Sequence, residues 1–254
     1  MQLTYTPLLQ LQRDLYRQPP GPKRFQTYLR TLTDAETGDM ALPLAVMNPM
    51  AKEHVPAFLD RLIAMDGDAI AAAATATAAR SLTAESGQYR CALVIADDRQ
   101  GGWTNRYTTD FDYRFRQKPY YQRGWVPTLL WVSQDYDPAQ IRTEVLLCIY
   151  RAVYIQRHGF AHTLRDCIAQ ETFAMEQAGA TTPTLAPDDL EYTQAVLAQF
   201  WDSTATPTAI AALYGDVAAH QLGYAPLGLS PNAGLALAQS PTAIRFSMPH
   251  QQDQ

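Results

Sequence analysis

Glu144, Arg151 and His158, spaced by seven residues, are the first groups in this chain whose types could do chemistry. A guanidinium grips carboxylate or phosphate through two parallel hydrogen bonds, glutamate serves as acid, base or ligand, and imidazole exchanges protons near neutral pH. They stand in the run P-A-Q-I-R-T-E-V-L-L-C-I-Y-R-A-V-Y-I-Q-R-H, residues 138–158, where Glu144 and Arg151 are the only charges between Thr143 and Gln156. Seven residues is close to two turns, so the three share one stripe of a helix whose other faces want burial. Neighbours on that stripe are about 10.5 Å apart along the axis, too far to pair with each other. Each needs a partner from another element. With His162 they would line the pocket of a hydrolase; as structural ions, Glu144 and Arg151 would lock the helix against its neighbours.

His158 and His162 form H-G-F-A-H, a spacing that would put two imidazoles on one helical face. With Glu171 or Glu144 as carboxylate they would make an open zinc site. The zinc-protease pattern H-E-x-x-H fails, because Gly159 stands where its general base belongs. The favoured reading is a connection between helices: Gly159 suits a left-handed helix ending, His158 complements the negative end of the helix dipole, and Thr163 with Asp166 fits a capping box. Asp216 and His220 are a second i,i+4 pair of a kind common on solvated faces. His54 and His250 carry no pattern beyond their presence.

A third candidate is residues 97–125, where Arg99, Arg106, Arg114, Arg116, Lys118 and Arg123 alternate with aromatic side chains. Arginine among aromatics is the composition of protein interfaces and single-strand nucleic-acid platforms. Asp97, Asp98, Asp110 and Asp112 dilute the charge, and strands favour aromatics on their own account. The reading that follows is a soluble protein binding a small molecule or a protein partner through 99–125. Trp103, Arg106, Tyr107 and Trp125 are its candidate contacts, and Arg106, Tyr107 and Trp125 are expected to face outward.

Nothing else suggests catalysis. No G-x-S-x-G, G-x-x-x-x-G-K-[ST] or G-x-G-x-x-G occurs, which removes support for a hydrolase elbow or a nucleotide loop. A net charge of −5 offers no global attraction to nucleic acid or anionic lipid. Apolar residues make up 47% and charged ones 18%, the balance of a globular chain with a sizeable core. No apolar run approaches the ~20 residues of a membrane span, and the first residues lack a signal-peptide pattern, so the cytoplasm is the expected location. Cys91, Cys148 and Cys167 are odd in number, without C-x-x-C, and read as reduced structural thiols.

The elements that must position these groups follow from periodicity and breakers. Helices are expected over 6–17, 23–32, 51–65, 69–82, 138–158, 163–178, 188–202 and 207–222. Strands are expected over 89–96, 103–115 and 126–133, the first two joined through D-D-R-Q-G-G as a hairpin. T-T-P-T-L-A-P reads as a linker. The sum is an α+β fold, a small antiparallel sheet of about three strands within 89–133 packed against several helices. The expected organisation is one domain over 1–235, with a helical portion over 1–82, and a partly mobile tail over 236–254.

Overall fold

The structure is a computed structural model that describes residues 1–99, 103–180 and 184–240. It divides into two compact units, Met1–Arg106 with Gln117–Ile149, and Tyr107–Arg116 with the chain from Tyr150 onward.

In chain order the elements as far as the long helix are β1 (Gln2–Tyr5), α1 (Leu9–Leu15), α2 (Pro22–Leu32), α3 (His54–Ala64), α4 (Gly67–Ser81), β2 (Gln88–Ala96), α5 (Arg106–Phe115), α6 (Lys118–Gln122), β3 (Trp125–Trp131) and α7 (Pro138–His158). The first unit is built on one sheet in the order β1-β2-β3, with both pairings parallel. The antiparallel sheet expected from sequence is therefore incorrect. Residues 103–115 do not form its second strand; most of them form α5. Phe111 and Phe115 stand four apart and are both buried, and Asp110 pairs with Arg114 at the same spacing. The D-F-D-Y-R-F segment thus satisfies a helical period as well as an alternating one. With helices between β2 and β3, the chain returns to the starting end of the sheet and the strands run the same way. Gln100–Gly102, part of the expected hairpin, lie outside the described residues.

The strand sequences suit a parallel arrangement. Every residue of β3 is buried, as is β2 from Cys91 to Ala96, so these strands read as continuous apolar runs. Pro127 has no N–H to give a ladder, and β3 can hold it because β3 is an edge strand. β1 is too short to cover the whole of β2: its register ends at Tyr5 opposite Cys91. Beyond that point a side chain continues the ladder. The wholly buried Gln12 of α1 donates from Nε2 to the Leu93 carbonyl at 2.9 Å, and its Oε1 accepts from the Ile95 N–H at 2.9 Å. One amide thus takes the place of a strand residue and fixes the carboxyl half of β2. Gln12→Ala is expected to lower the unfolding free energy by about 2–3 kcal/mol, since it strands two buried backbone groups. Gln12→Glu should also be damaging, because an ionised carboxylate cannot donate to Leu93. Urea denaturation of the two variants checks both statements.

The second unit holds all of α5 but its first residue, the end of α7 from Tyr150, and α8 (Leu164–Ala178), α9 (Pro187–Leu197), α10 (Thr206–Tyr214), α11 (Asp216–Leu222) and α12 (Ala233–Ala238). α12 packs on α8, α9 and α10, and its residues are buried throughout. The connection H-G-F-A-H is present as expected, with Gly159 at φ +84° after α7. Thr163 and Asp166 form the capping box that opens α8. The helix expected over 207–222 is broken into α10 and α11 at Gly215, which has φ +83° and would carry a Cβ 2.2 Å from the Ser230 carbonyl oxygen. Only glycine fits there. Thr181–Pro183 of the expected linker and residues 241–254 of the expected tail lie outside the described residues, whereas Ala236–Ala238 belongs to α12.

No single helix among the described residues is long and apolar enough to cross a membrane; α3 and α4 pass that test only as a pair bent by 60°.

Candidate functional site

Of the stripe on α7, Glu144 is half-buried in the first unit, Arg151 is buried in the second, and His158 is exposed. Arg151 has found its partner. Its Nε and Nη2 donate to Oε1 and Oε2 of Glu171 at 2.7 and 2.8 Å, a bidentate pair between α7 and α8. Glu171 is 0% exposed and also accepts from Arg114 of α5. Arg114 in turn donates to Asp110 at 2.6 Å, and the Tyr214 hydroxyl donates to the same Asp110 oxygen at 2.8 Å. The Gln170 amide ties the Arg114 carbonyl at 2.7 Å. The result is a buried chain of two guanidiniums and two carboxylates that joins α5, α7, α8 and α10 within the second unit.

Electrostatics follow from that packing. Burial works to raise the Glu171 carboxyl, but the charges of Arg151 and Arg114 outweigh it and hold the group below the usual glutamate range. Burial works against the charge on Arg114, yet Asp110 and Glu171 keep it well above its ordinary value. The Tyr214 hydroxyl is pushed far up, first by burial and then by Asp110. The saturated carboxylate of Glu171 is a counter-ion and offers no open coordination.

The alternative metal set, His158 and His162 with Glu171, is not drawn together as a cluster. His162 is exposed like His158, and among the described residues no group of three His, Cys, Asp or Glu side chains could hold a metal ion. The Tyr154 ring lies 4.5 Å from that of His158, and the His162 backbone N–H donates to Asp166 at 3.0 Å. Asp216 is occupied by the backbone N–H groups of Leu227, Gly228 and Leu229, while His220 is exposed. None of the three cysteines is in a disulfide; burial pushes the Cys91 thiol up to about 12, which leaves it inert.

The aromatic and arginine residues of the candidate surface fall as follows. Trp103, Arg106 and Trp125 belong to the first unit and Tyr107 to the second. Trp125 does not face outward: it is wholly buried in β3, with the Arg90 guanidinium 4.0 Å from its ring centre. Arg106 and Tyr107 are half-buried, and Trp103 is exposed.

The group missed from sequence lies at the carboxyl ends of β2 and β3. Asp97 and Asp98 follow directly on Ala96, the last residue of β2. The nearly buried Asp97 accepts from the Asn48 amide at 2.8 Å and from the Arg99 backbone N–H at 3.2 Å, and lies 3.0 Å from His54 Nε2. The loop carrying Asn48 is itself held. Arg24 donates to the carbonyls of Pro49 and Ala51, and the Tyr16 hydroxyl donates to the Asn48 carbonyl at 2.5 Å. Asp98 accepts from the Ser133 backbone N–H at 3.0 Å, from Ser133 Oγ at 2.5 Å and from Arg106 Nη1 at 3.1 Å. Arg106 lies over the Trp131 ring at 4.3 Å. The two aspartates thus each hold one part-exposed side chain, His54 at 24% and Arg106 at 28%.

The carboxylate oxygens of both aspartates are already engaged. What remains open to solvent is mainly the donor side: the remaining N–H groups of Arg106 and the exposed guanidinium of Arg99, while the second imidazole nitrogen of His54, whose Nε2 faces the Asp97 carboxylate, donates only in the imidazolium form. The signal in the sequence was an apolar run without alternation, C-A-L-V-I-A, ending in D-D. Such a run marks a strand buried on both faces, and the carboxyl end of such a strand is where open α/β sheets place ligands.

The fold and this cluster define the first unit as an α/β unit with a three-stranded parallel sheet and a polar strand-end site. Comparison with known proteins finds no family model, no curated protein and no solved structure that matches the chain.

Proposed function

We propose that the protein binds a small anionic ligand at the carboxyl ends of β2 and β3, where Arg99 and Arg106 supply the donors and His54 adds one in its imidazolium form. The observation that carries this reading is the saturation of Asp97 and Asp98, which orients His54 and Arg106 and leaves donors as the unfilled groups. Two further features support it. The position is the one open parallel sheets use for ligands, and Arg99, Trp103 and Arg106 belong to the arginine- and aromatic-rich stretch 99–125. The preset orientation of both side chains lowers the entropy lost on binding.

Calorimetric titration with inorganic phosphate and with citrate tests the reading. The wild-type protein is expected to bind at least one of them, more weakly as salt is raised. Arg106→Ala is expected to weaken that binding by about ten-fold or more, the order of one charge-assisted hydrogen bond, with circular dichroism unchanged. Binding that is indifferent to both Arg106→Ala and His54→Ala would place the anion elsewhere and overturn the proposal.

A further inference from the structure

The strand-end cluster has an apolar border in the first unit. Trp103 is 45% exposed and Met50 is 39% exposed, and both are tied to the same polar core. Thr104, next to Trp103, donates its hydroxyl to the Asp97 carbonyl at 2.8 Å. The Met50 N–H donates to Asn48 Oδ1 at 3.0 Å, and Asn48 donates to Asp97. Both residues are also held by one turn of α2. Phe25 meets the Trp103 indole edge-on at 6.5 Å, while Arg24 binds the carbonyls on either side of Met50.

Trp103 is thus an indole in T-shaped contact with one neighbouring ring, with nearly half of its surface open to water. The other three tryptophans, Trp125, Trp131 and Trp201, are buried. An exposed tryptophan beside an array of hydrogen-bond donors matches a ligand with a flat ring at one end and acceptors at the other. A protein partner fits less well. Among the described residues of this unit the exposed large apolar side chains are Trp103, Met50 and Leu29, with Trp103 the one aromatic among them, whereas the centre of a protein interface is rich in aromatic side chains.

Resting on the anion-binding reading above, we infer that the ligand is an anion built on a flat ring, with the ring stacked on Trp103 and the anionic group on Arg99, Arg106 and His54. A heteroaromatic or aryl phosphate or carboxylate has this chemistry. Stacking supplies affinity without demanding a particular ring, and the donors set the orientation.

The test uses the full chain and matched probes. Adenosine 5′-monophosphate is compared with ribose 5-phosphate, and benzoate with cyclohexanecarboxylate, which has the same charge without a flat ring. Binding is read by titration calorimetry and by protection of tryptophan fluorescence from acrylamide, which reports on Trp103 as the exposed indole. The expected result is that at least one ring-bearing probe binds about ten-fold tighter than its partner, the order of one stacking contact, and shields Trp103. Trp103→Leu should abolish the difference and Trp103→Phe should keep most of it. If ringless and ring-bearing probes bind alike and Trp103→Leu changes nothing, the stacking inference fails while the anion site stands. If no probe binds at millimolar concentration, both fail.

Discussion

Glu171→Ala is expected to lower the unfolding free energy by about 3–5 kcal/mol, the loss that follows when a buried ion pair is broken from one side. The carboxylate is wholly buried and holds Arg151 bidentately and Arg114 as well, so its removal deprives two guanidiniums of the counter-ion they share. Neither guanidinium can shed its charge at any ordinary pH. Urea denaturation followed by circular dichroism measures the loss. The double variant Glu171→Leu/Arg151→Met is expected to recover a large part of it, because uncharged side chains of similar volume avoid desolvation. Failure of the double variant to recover would show that other members of the chain, such as Tyr214 and Gln170, depend on the carboxylate itself.

The same group sets an acid limit. The folded Glu171 carboxyl is held below its ordinary range by the two arginines, which outweigh the opposing effect of burial. An unfolded glutamate takes up its proton at about pH 4. Above that range the contribution of Glu171 to stability is fully present. As pH falls below it the unfolded chain binds the proton first, and the contribution shrinks until the folded carboxyl also protonates. The urea midpoint of the wild type should therefore fall steeply on acidification, and that of the Glu171→Leu/Arg151→Met variant less steeply.

How much of this was legible beforehand depends on how far apart the interacting residues lie. Helices α7 and α8 and the capping box at Thr163 follow from local periodicity and caps, and the structure has them at nearly the expected residues. The direction of the sheet did not, because it turns on two non-local facts. β1 is only four residues long with an unremarkable alternation, and residues 109–115 satisfy two periods at once. Burial of Phe111 and Phe115 on one helical face decides between them, and burial is a tertiary property. Arg151 stood out because it interrupts an apolar helix, yet the identity of its partner required the packing of α7 on α8. Glu171 was in view as a metal ligand rather than as a counter-ion. His54 carried no signal at all, since its partner Asp97 lies 43 residues along the chain. Asp97 and Asp98 resembled turn residues of a hairpin, and only a parallel sheet turns the same two residues into a strand-end site.

Asp97→Ala should remove both stability and ligand binding. The carboxylate is 2% exposed, and three donors meet it: the Asn48 amide, the Arg99 backbone N–H and His54. Truncation strands these groups in or near the interior, an expected loss of about 2–4 kcal/mol in urea denaturation. Asp97→Asn keeps the shape and one acceptor, so its loss should be smaller, about 1 kcal/mol. That makes the asparagine variant the informative one for function. It remains folded, with the Asn48 loop still held by Arg24 and Tyr16, but it withdraws the negative charge that sets the His54 ring. Phosphate or adenosine 5′-monophosphate is expected to bind it at least about ten-fold more weakly than the wild type, the scale of one charge-assisted hydrogen bond lost from the site. A double-mutant cycle with His54→Ala should show strong coupling, the double variant losing much less than the sum of the two single effects. Full affinity in a folded Asp97→Asn variant would assign this carboxylate to holding the end of β2 and nothing more.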